Sequence, residues 1–150
     1  SFVGRLRQAL CDGRLCIRSH AAWTEPGELR ELSADLRAEL WPSVRGSMPS
    51  STKHVAVFKG DLNFRRLVGD RYWHDTDNFT DCVSSTLQRS GVTDAIALRT
   101  LKSEVSVGIP PAQIERWRIT SSFPAQWRTD GKHAVALFAH LPLPTQDVTM

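Results

Sequence analysis

Apolar residues near the start of the chain recur at the spacing of an amphipathic helix. This spacing predicts a short helix over residues 2–12, with Gly13 closing its last turn. The next apolar residues, 15–17, predict a short strand. The helix prediction rests on three apolar positions: Val3, Leu6 and Leu10.

A second helix is predicted more clearly because its start carries signals of its own. Thr24 is a good N-cap, Pro26 suits a first helical turn, and the glutamates that follow favour the positive end of a helix dipole. The pattern predicts one continuous helix that ends before Pro42. Its apolar stripe consists of four leucines: Leu29, Leu32, Leu36 and Leu40.

The rest of the chain alternates between apolar runs and stretches with helical periodicity. Residues 42–53 are rich in Ser, Pro and Gly and predict a flexible loop. The apolar run that follows, residues 55–58, shows no alternation and predicts a central parallel strand covered on both faces. Further helices are predicted at 62–67 and 77–89, further strands at 95–98, 105–108 and 134–138, and a loose tail at 139–150.

Strands separated by helical patterns indicate an α/β fold, with a layered, mainly parallel sheet flanked by helices. The 150 residues, of which 41% are apolar and 23% charged, fit a single globular domain. The longest apolar run, residues 134–139, is far shorter than the roughly 20 residues that cross a bilayer, so no membrane span is predicted.

Charge and cysteine usage narrow the expected surroundings of the protein. A net charge of +3 comes from arginines scattered along the chain without a basic block, so nucleic-acid binding is not predicted. No secretory signal is recognisable, and the cysteines lack CxxC spacing, so a cytoplasmic or nuclear location is expected. We interpret three cysteines as ordinary reduced thiols: Cys11, Cys16 and Cys82.

Polar residues follow two of the predicted strands, where ligands bind in open α/β sheets. After the first strand, Gly60 allows a tight turn, Asp61 and Asn63 offer short polar groups, and Arg65 offers a guanidinium. The second segment, residues 99–102, offers two cations and a hydroxyl. Such a set suits an anionic, hydroxyl-rich ligand such as a sugar phosphate. The alternative is that these residues form an ordinary turn and a solvated surface.

These two segments match the motifs of a known family. Residues 57–71, which read VFKGDLNFRRLVGDR and precede Trp73, closely resemble the FKGDLNYR(K/R)LxGDRxW signature of the damage-control phosphatases. Residues 99–102, which read RTLK and precede Glu104, are similar to the RTxK motif of the sugar-phosphate phosphatase branch, also called the acidic residue methyltransferase-like branch. The motifs stand in the family's order and at about its spacing.

The resemblance implies a metal-dependent phosphoric monoester hydrolase that acts on small phosphorylated metabolites such as fructose 1-phosphate and fructose 6-phosphate. It implies catalytic roles for Asp61 and for Lys102, the phosphate-contacting lysine. Phe64 stands where tyrosine is usual, which removes one hydroxyl. The implied substrate-binding residues are Asp61, Leu62, Asn63, Phe64, Arg65 and Lys102, and the implied supporting residues are Lys59, Gly60, Arg99 and Thr100.

The metal ligands of the family are not expected in this chain. The family holds its divalent ion, Mn, Ni, Co or Mg, through an Asp-Asn pair and a further Asp, all upstream of the motifs above. Nothing in residues 1–54 reproduces them, and the five histidines lack paired metal spacing. The chain is therefore expected to be the C-terminal part of a larger α/β/α domain or a truncated relative, which keeps the phosphate-binding part and is inactive alone.

Two other functions remain open at this stage. One is an S-adenosylmethionine-dependent carboxyl methyltransferase acting on protein glutamate, although the chain has no glycine-rich methyl-donor loop of the usual kind. The other is a noncatalytic, vestigial module that binds sugar phosphates. A small-molecule sugar phosphate is the expected partner, and the sequence does not predict the oligomeric state.

Overall fold

A three-stranded mixed sheet organises the fold. Its strands are β1 (Val55–Lys59), β2 (Asp94–Thr100) and β3 (Ala134–His140), in that order across the sheet. β1 runs parallel to β2, and β3 runs antiparallel to it. The computed structural model describes residues 1–40, 53–88, 90–121 and 123–141. These residues confirm the α/β arrangement, with β2 rather than β1 as the central strand.

Five helices accompany the sheet in the described residues. They are α1 (Phe2–Cys11), α2 (Ala34–Leu40), α3 (Asp61–Val68), α4 (Phe79–Leu87) and α5 (Pro111–Thr120). Short 3₁₀ turns lie at Ala21–Trp23, Leu29–Glu31 and Pro124–Gln126. None of the helices in the described ranges is long and apolar enough to cross a bilayer.

The main core lies between one face of the sheet and helices α3 and α4, which form the crossover from β1 to β2. Side chains at alternate strand positions point into it because successive residues of a strand face opposite sides. A smaller second cluster surrounds the fully buried Trp127 and joins α5 to the end of β2. The main core includes Phe64, Leu67, Val83, Leu87, Ala95, Ala97 and Ala139.

The opposite face of the sheet is apolar and exposed in the described structure. Val57, Ile96 and Phe138 form one row across the three strands, and Val57 and Phe138 are 59% and 61% exposed. Sheets that contain parallel strands usually have both faces covered. The prediction that both faces of residues 55–58 are covered is therefore wrong for the residues described.

Most of the short predicted elements are confirmed. The predicted helix 2–12 is α1, although none of its residues is buried against the described chain. Helices 62–67 and 77–89 correspond to α3 and α4, and Asn78 caps α4 by accepting the Thr80 N–H at 2.8 Å. Strands 55–58, 95–98 and 134–138 correspond to β1, β2 and β3, with β2 and β3 each longer than predicted.

The predicted continuous helix from Thr24 is wrong. A 3₁₀ turn over Leu29–Glu31 begins with a capping box in which Glu28 and Glu31 bond each other's backbone. The chain is extended at Leu32, and α2 then starts anew where the Ser33 hydroxyl accepts the Leu36 N–H at 3.3 Å. The leucine stripe still reaches the core, because the break changes the path of the chain without turning these side chains to solvent.

Several other predictions need correction or cannot be judged. Residues 15–17 and 105–108 form no strand, and α5 was not predicted. The predicted tail begins too early, since residues 139 and 140 complete β3. Residues 142–150 of the tail and 42–52 of the predicted loop lie outside the described residues. That residues 1–150 form one C-terminal part of a larger domain stays a prediction.

Candidate functional site

The two predicted site segments meet at one edge of the sheet. Lys59 at the end of β1 lies beside Leu98 of β2, and the Gly60 N–H donates to the Leu98 carbonyl at 2.8 Å. Gly60 then turns the chain into α3 with φ of 100° and ψ of 161°, a backbone region open essentially to glycine alone. Residues 60–65 and 99–103 are therefore neighbours, as expected for strands that run parallel.

The centre of this edge is an ion pair between Asp61 and Arg99. Asp61 is the first residue of α3, and its Oδ1 lies 2.5 Å from Arg99 Nη2. The Arg99 side chain is 0% exposed and that of Asp61 is 19% exposed. Ser103 completes the group, since its hydroxyl lies 3.3 Å from Asp61 Oδ1 and 3.2 Å from Arg99 Nη2. The acid of the motif is thus held by a buried cation.

Arg99 is enclosed on its other sides as well. Its Nη1 donates to the Val105 carbonyl at 2.6 Å, and its guanidinium carbon lies 4.2 Å from the centroid of the Phe64 ring. Burial lowers the pKa of Arg99, and the Asp61 carboxylate partly offsets that shift. The guanidinium therefore depends on its partners for the solvation it has lost.

The aromatic residue of the motif has a supporting position in this structure. Phe64 is 1% exposed, and its ring stacks against that of Phe79 with 6.3 Å between the centroids. The same ring also packs against the Arg99 guanidinium. Within the described residues, the Phe64 ring exposes almost no surface to a ligand, and its substrate-binding role stays a prediction. Phe64 instead fixes the plane of the guanidinium that holds Asp61.

Other motif residues remain near the surface. Leu62 is exposed, and Asn63 is half-buried, with its Nδ2 donating to the Lys59 carbonyl at 2.9 Å. Thr100 is half-buried at the end of β2. Lys102 is exposed and immediately precedes Ser103, which is bonded to Asp61. The structure therefore places Lys102 in the chain segment next to Asp61.

Arg65 is engaged with Asp70 rather than being free. Its Nε lies 3.1 Å from Asp70 Oδ1, and its Nη2 contacts Oδ2. This hydrogen bonding raises the pKa of Arg65 and lowers that of Asp70. The neighbouring arginines have other partners, since Arg71 contacts Glu28 and Arg66 donates to the Gly27 carbonyl.

The arrangement favours an anion at the start of α3. The first backbone N–H groups of a helix have no partner within the helix and carry its positive end. A free carboxylate at Asp61 would oppose a bound anion, but Arg99 neutralises it. The remaining positive contributions are the helix N-terminus and two exposed lysines, Lys102 and Lys59, and they can attract a phosphate group.

The described residues do not fit a divalent ion. Within them, no three His, Cys, Asp or Glu side chains come together as a metal site would require. Asp61, the carboxylate at this edge, contacts the buried Arg99 guanidinium through its Oδ1 and belongs to no such group of side chains among the described residues. The expectation of metal ligands upstream stays a prediction.

Sequence reasoning missed two parts of this region. Ser103 follows Lys102 directly, and a hydroxyl beside a motif lysine was the only available signal. Asp75, Ser106 and Arg128 form a second cluster, in which Asp75 contacts both of the others. Asp75 and Arg128 are 53 positions apart, and no short-range pattern connects them.

The strand pair thus ends in a neutralised acid, a helix N-terminus and an exposed lysine, at the edge where α/β proteins place their ligand sites. The profile of the damage-control phosphatase ARMT1-like domain matches residues 2–117, and the chain belongs to this family. The resemblance of the two motifs is thereby confirmed.

Curated relatives give the same family. The chain is 36% identical to damage-control phosphatase ARMT1 of Bos taurus over 126 residues, which cover 84% of this chain and 25% of the relative. It is 35% identical to the protein of that name from Mus musculus over 129 residues, with 84% and 26% covered. For that from Danio rerio the identity is 33% over 128 residues, with 85% and 25% covered. The chain thus spans about a quarter of the length of these relatives.

Proposed function

We propose that this chain supplies the phosphate- and sugar-binding part of a metal-dependent phosphatase that hydrolyses small phosphorylated metabolites such as fructose 1-phosphate or fructose 6-phosphate. The observation that carries the proposal is the pairing of Asp61, at the start of α3, with Arg99. The exposed Lys102 lies nearby, because the next residue, Ser103, contacts the Asp61 carboxylate. Membership of the damage-control phosphatase family supports the reaction class.

Asp61 and Lys102 have different proposed roles. Both described contacts of the Asp61 carboxylate fall on Oδ1, so Oδ2 is the oxygen that we expect to accept a sugar hydroxyl. Lys102 carries a point charge on a flexible stem and neutralises charge that spreads over the phosphoryl oxygens during transfer. The N–H groups at the start of α3 offer further hydrogen bonds to those oxygens.

Arg65 and Phe64 contribute indirectly in this proposal. Arg65 is partly exposed beside the start of α3 and adds positive potential, although Asp70 neutralises much of it. Phe64 and Arg99 keep the Asp61 carboxylate in place. The divalent ion, Mn, Ni, Co or Mg, is proposed to bind residues outside this chain and to polarise the phosphoryl group, so the chain alone is expected to be inactive.

Ligand binding to the chain itself tests the proposal. Isothermal titration calorimetry should show that the chain binds fructose 1-phosphate more tightly than fructose. Lys102→Ala should weaken the affinity for fructose 1-phosphate at least tenfold. Lys53→Ala is the matched control, because Lys53 is also exposed but precedes the opposite end of β1. Equal affinity in wild type and Lys102→Ala would refute the role of Lys102.

Turnover distinguishes the enzyme from its alternatives. In a longer protein that contains this chain, Lys102→Ala should lower kcat/KM for fructose 1-phosphate hydrolysis with Mn²⁺ by about 10²-fold, the effect of removing one group that stabilises transition-state charge. Sugar-phosphate binding without metal-dependent turnover would select the noncatalytic module. Methyl transfer from labelled S-adenosylmethionine to protein glutamate would select the methyltransferase.

A further inference from the structure

The loop between β2 and α5, residues 101–110, carries Lys102 and Ser103 and has no regular secondary structure. Backbone groups at both ends of this loop are bonded to other segments of the chain. At its start, the Leu101 N–H donates to the His133 carbonyl at 2.8 Å, and the Leu101 carbonyl accepts from the Gly131 N–H at 3.1 Å. Near its end, the Gly108 N–H donates to the Asp77 carbonyl and the Ile109 N–H to the Asp75 carbonyl, each at 2.8 Å.

Between these ends, the side chain of Asp75 holds the middle of the loop. Its carboxylate accepts a hydrogen bond from the Ser106 hydroxyl and two from Arg128, with Nε at 2.9 Å and Nη2 also in contact. The Asp75 and Arg128 side chains are 13% and 23% exposed. A two-point, charge-assisted contact of this kind is stronger and more directional than a single hydrogen bond.

Arg128 is itself fixed by the second core cluster. Its guanidinium carbon lies 4.5 Å from the ring centroid of Trp127, which is fully buried. Burial acts to raise the pKa of Asp75, but the hydrogen bonds from Arg128 and Ser106 outweigh it, and the pKa is lowered overall. The contact is therefore between two charged groups at neutral pH, and it joins the loop to a rigid aromatic anchor.

We infer that Asp75 and Arg128 are positioning residues that hold Lys102 and Ser103 at the ligand, an inference that rests on the proposed function. Arg128 belongs to the turn that ends at Gly131, and a Cβ added to Gly131 would lie 3.8 Å from Lys102 Cε. The ion pair thus joins the loop that carries Lys102 to the turn beside which the Lys102 side chain lies. Neither Asp75 nor Arg128 needs to touch the ligand.

Amide hydrogen exchange and phosphate titration of the 150-residue chain test this inference together. Asp75→Asn should speed exchange of the amides of residues 102–109 by tenfold or more and should weaken binding of inorganic phosphate about tenfold. The matched control is Asp12→Asn, which removes the same charge from an exposed pair with Arg14 at 2.9 Å and should change neither quantity. Both measurements are made under conditions in which urea titration shows that each variant is fully folded.

A charge swap separates positioning from a general loss of structure. The double variant Asp75→Arg with Arg128→Asp restores an ion pair between the same segments and should recover at least half of the lost phosphate affinity. Wild-type phosphate affinity in Asp75→Asn would overturn the inference, as would unchanged exchange in the loop. A wild-type chain that binds no phosphate would instead refute the proposed function, and with it the role of the pair in ligand binding.

Discussion

Replacing Asp61 by asparagine tests how strongly the buried Arg99 depends on its carboxylate partner. Asparagine keeps the size and shape of the side chain and removes only its charge. In the variant, the guanidinium stays 0% exposed and keeps the Val105 carbonyl and the Phe64 ring as neighbours. Its Nε already has no partner among the described residues. The positive charge would then be buried without a compensating negative one.

The expected cost follows from the burial of the pair. Breaking a buried ion pair by removing one partner costs about 3–5 kcal/mol, because the remaining charge stays desolvated. Asp61 is 19% exposed, so water can reach part of the site and the lower end, about 3 kcal/mol, applies. The comparison is Asp70→Asn, which breaks the pair between Asp70 and Arg65. The Asp70 side chain is 52% exposed and the Arg65 side chain is 36% exposed. Exposed pairs contribute about 0–1 kcal/mol.

Urea denaturation at neutral pH, followed by tryptophan fluorescence, gives the free energy of unfolding of both variants. A double variant, Asp61→Leu with Arg99→Met, removes both charges and should recover most of the stability lost in Asp61→Asn, because the desolvated charge is gone. If Asp61→Asn costs no more than Asp70→Asn, the buried arginine does not need this carboxylate. The account of a neutralised acid at the site would then be wrong.

Three further changes test the surroundings of the site. Gly60→Ala should cost about 1–3 kcal/mol in urea titration from backbone strain alone, since no heavy atom of the described residues, apart from the adjacent ones in the chain, lies within 4 Å of the added Cβ; an unchanged midpoint would contradict the strained turn. Trp127→Ala should cost about 3–5 kcal/mol, measured as the shift in thermal unfolding, because the ring is fully buried; a cost below about 1 kcal/mol would mean that the cluster around it does not support the fold. The pKa of Asp75 is lowered in the folded chain. Its contribution to the free energy of unfolding is therefore complete above the pKa of an unfolded Asp, about 4, and is lost as the pH falls through the lower pKa of the folded state. The stability of wild type and Asp75→Asn should therefore converge between pH 5 and pH 2, and a difference that stays constant over that range would contradict the ion pair.

Local sequence signals predicted the site edge well. The glycine at position 60 and the polar residues after it predicted a turn into a helix, and α3 begins at Asp61. The apolar runs predicted β1 and β2, and a parallel arrangement of these strands brings their ends together whatever the rest of the fold does. These features depend on short stretches of sequence, so a short stretch is enough to predict them.

The depth of each side chain could not be predicted in the same way. Arg99 looked like a surface cation at a strand end, and Phe64 like an aromatic near a ligand, because position in a motif says nothing about which side of the sheet a residue faces. The alternation along β2 places Arg99 on the same face as Ala95 and Ala97, which are fully buried. The helical position of Phe64 directs its ring to the same core.

The long leucine helix failed for a different physical reason. Periodicity reports which residues reach the core, and the leucines at 29, 32 and 36 do reach it. It does not report whether the backbone between them is continuous. Ser33 was itself a capping residue within the stripe, and its hydroxyl bonds the start of α2. A local side-chain cap at this position competes with the continuous helix that the stripe suggested.

Charge at the site edge can be followed residue by residue to one more consequence. Asp61 and Arg99 cancel, and Arg65 is largely cancelled by Asp70, so the net positive charge near the start of α3 comes mainly from Lys102, Lys59 and the helix N-terminus. Lys102 and Lys59 are both full, exposed charges. The alternation along β1 places Lys59 on the face of the sheet opposite to Arg99, whereas Lys102 lies beside Ser103, which is bonded to Asp61. Phosphate binding should therefore weaken with added salt in wild type, and Lys102→Ala should lose most of that salt dependence along with its affinity. Titrations at low and moderate ionic strength measure this directly. A variant that keeps the wild-type salt dependence would show that another cation, such as Lys59, attracts the phosphate.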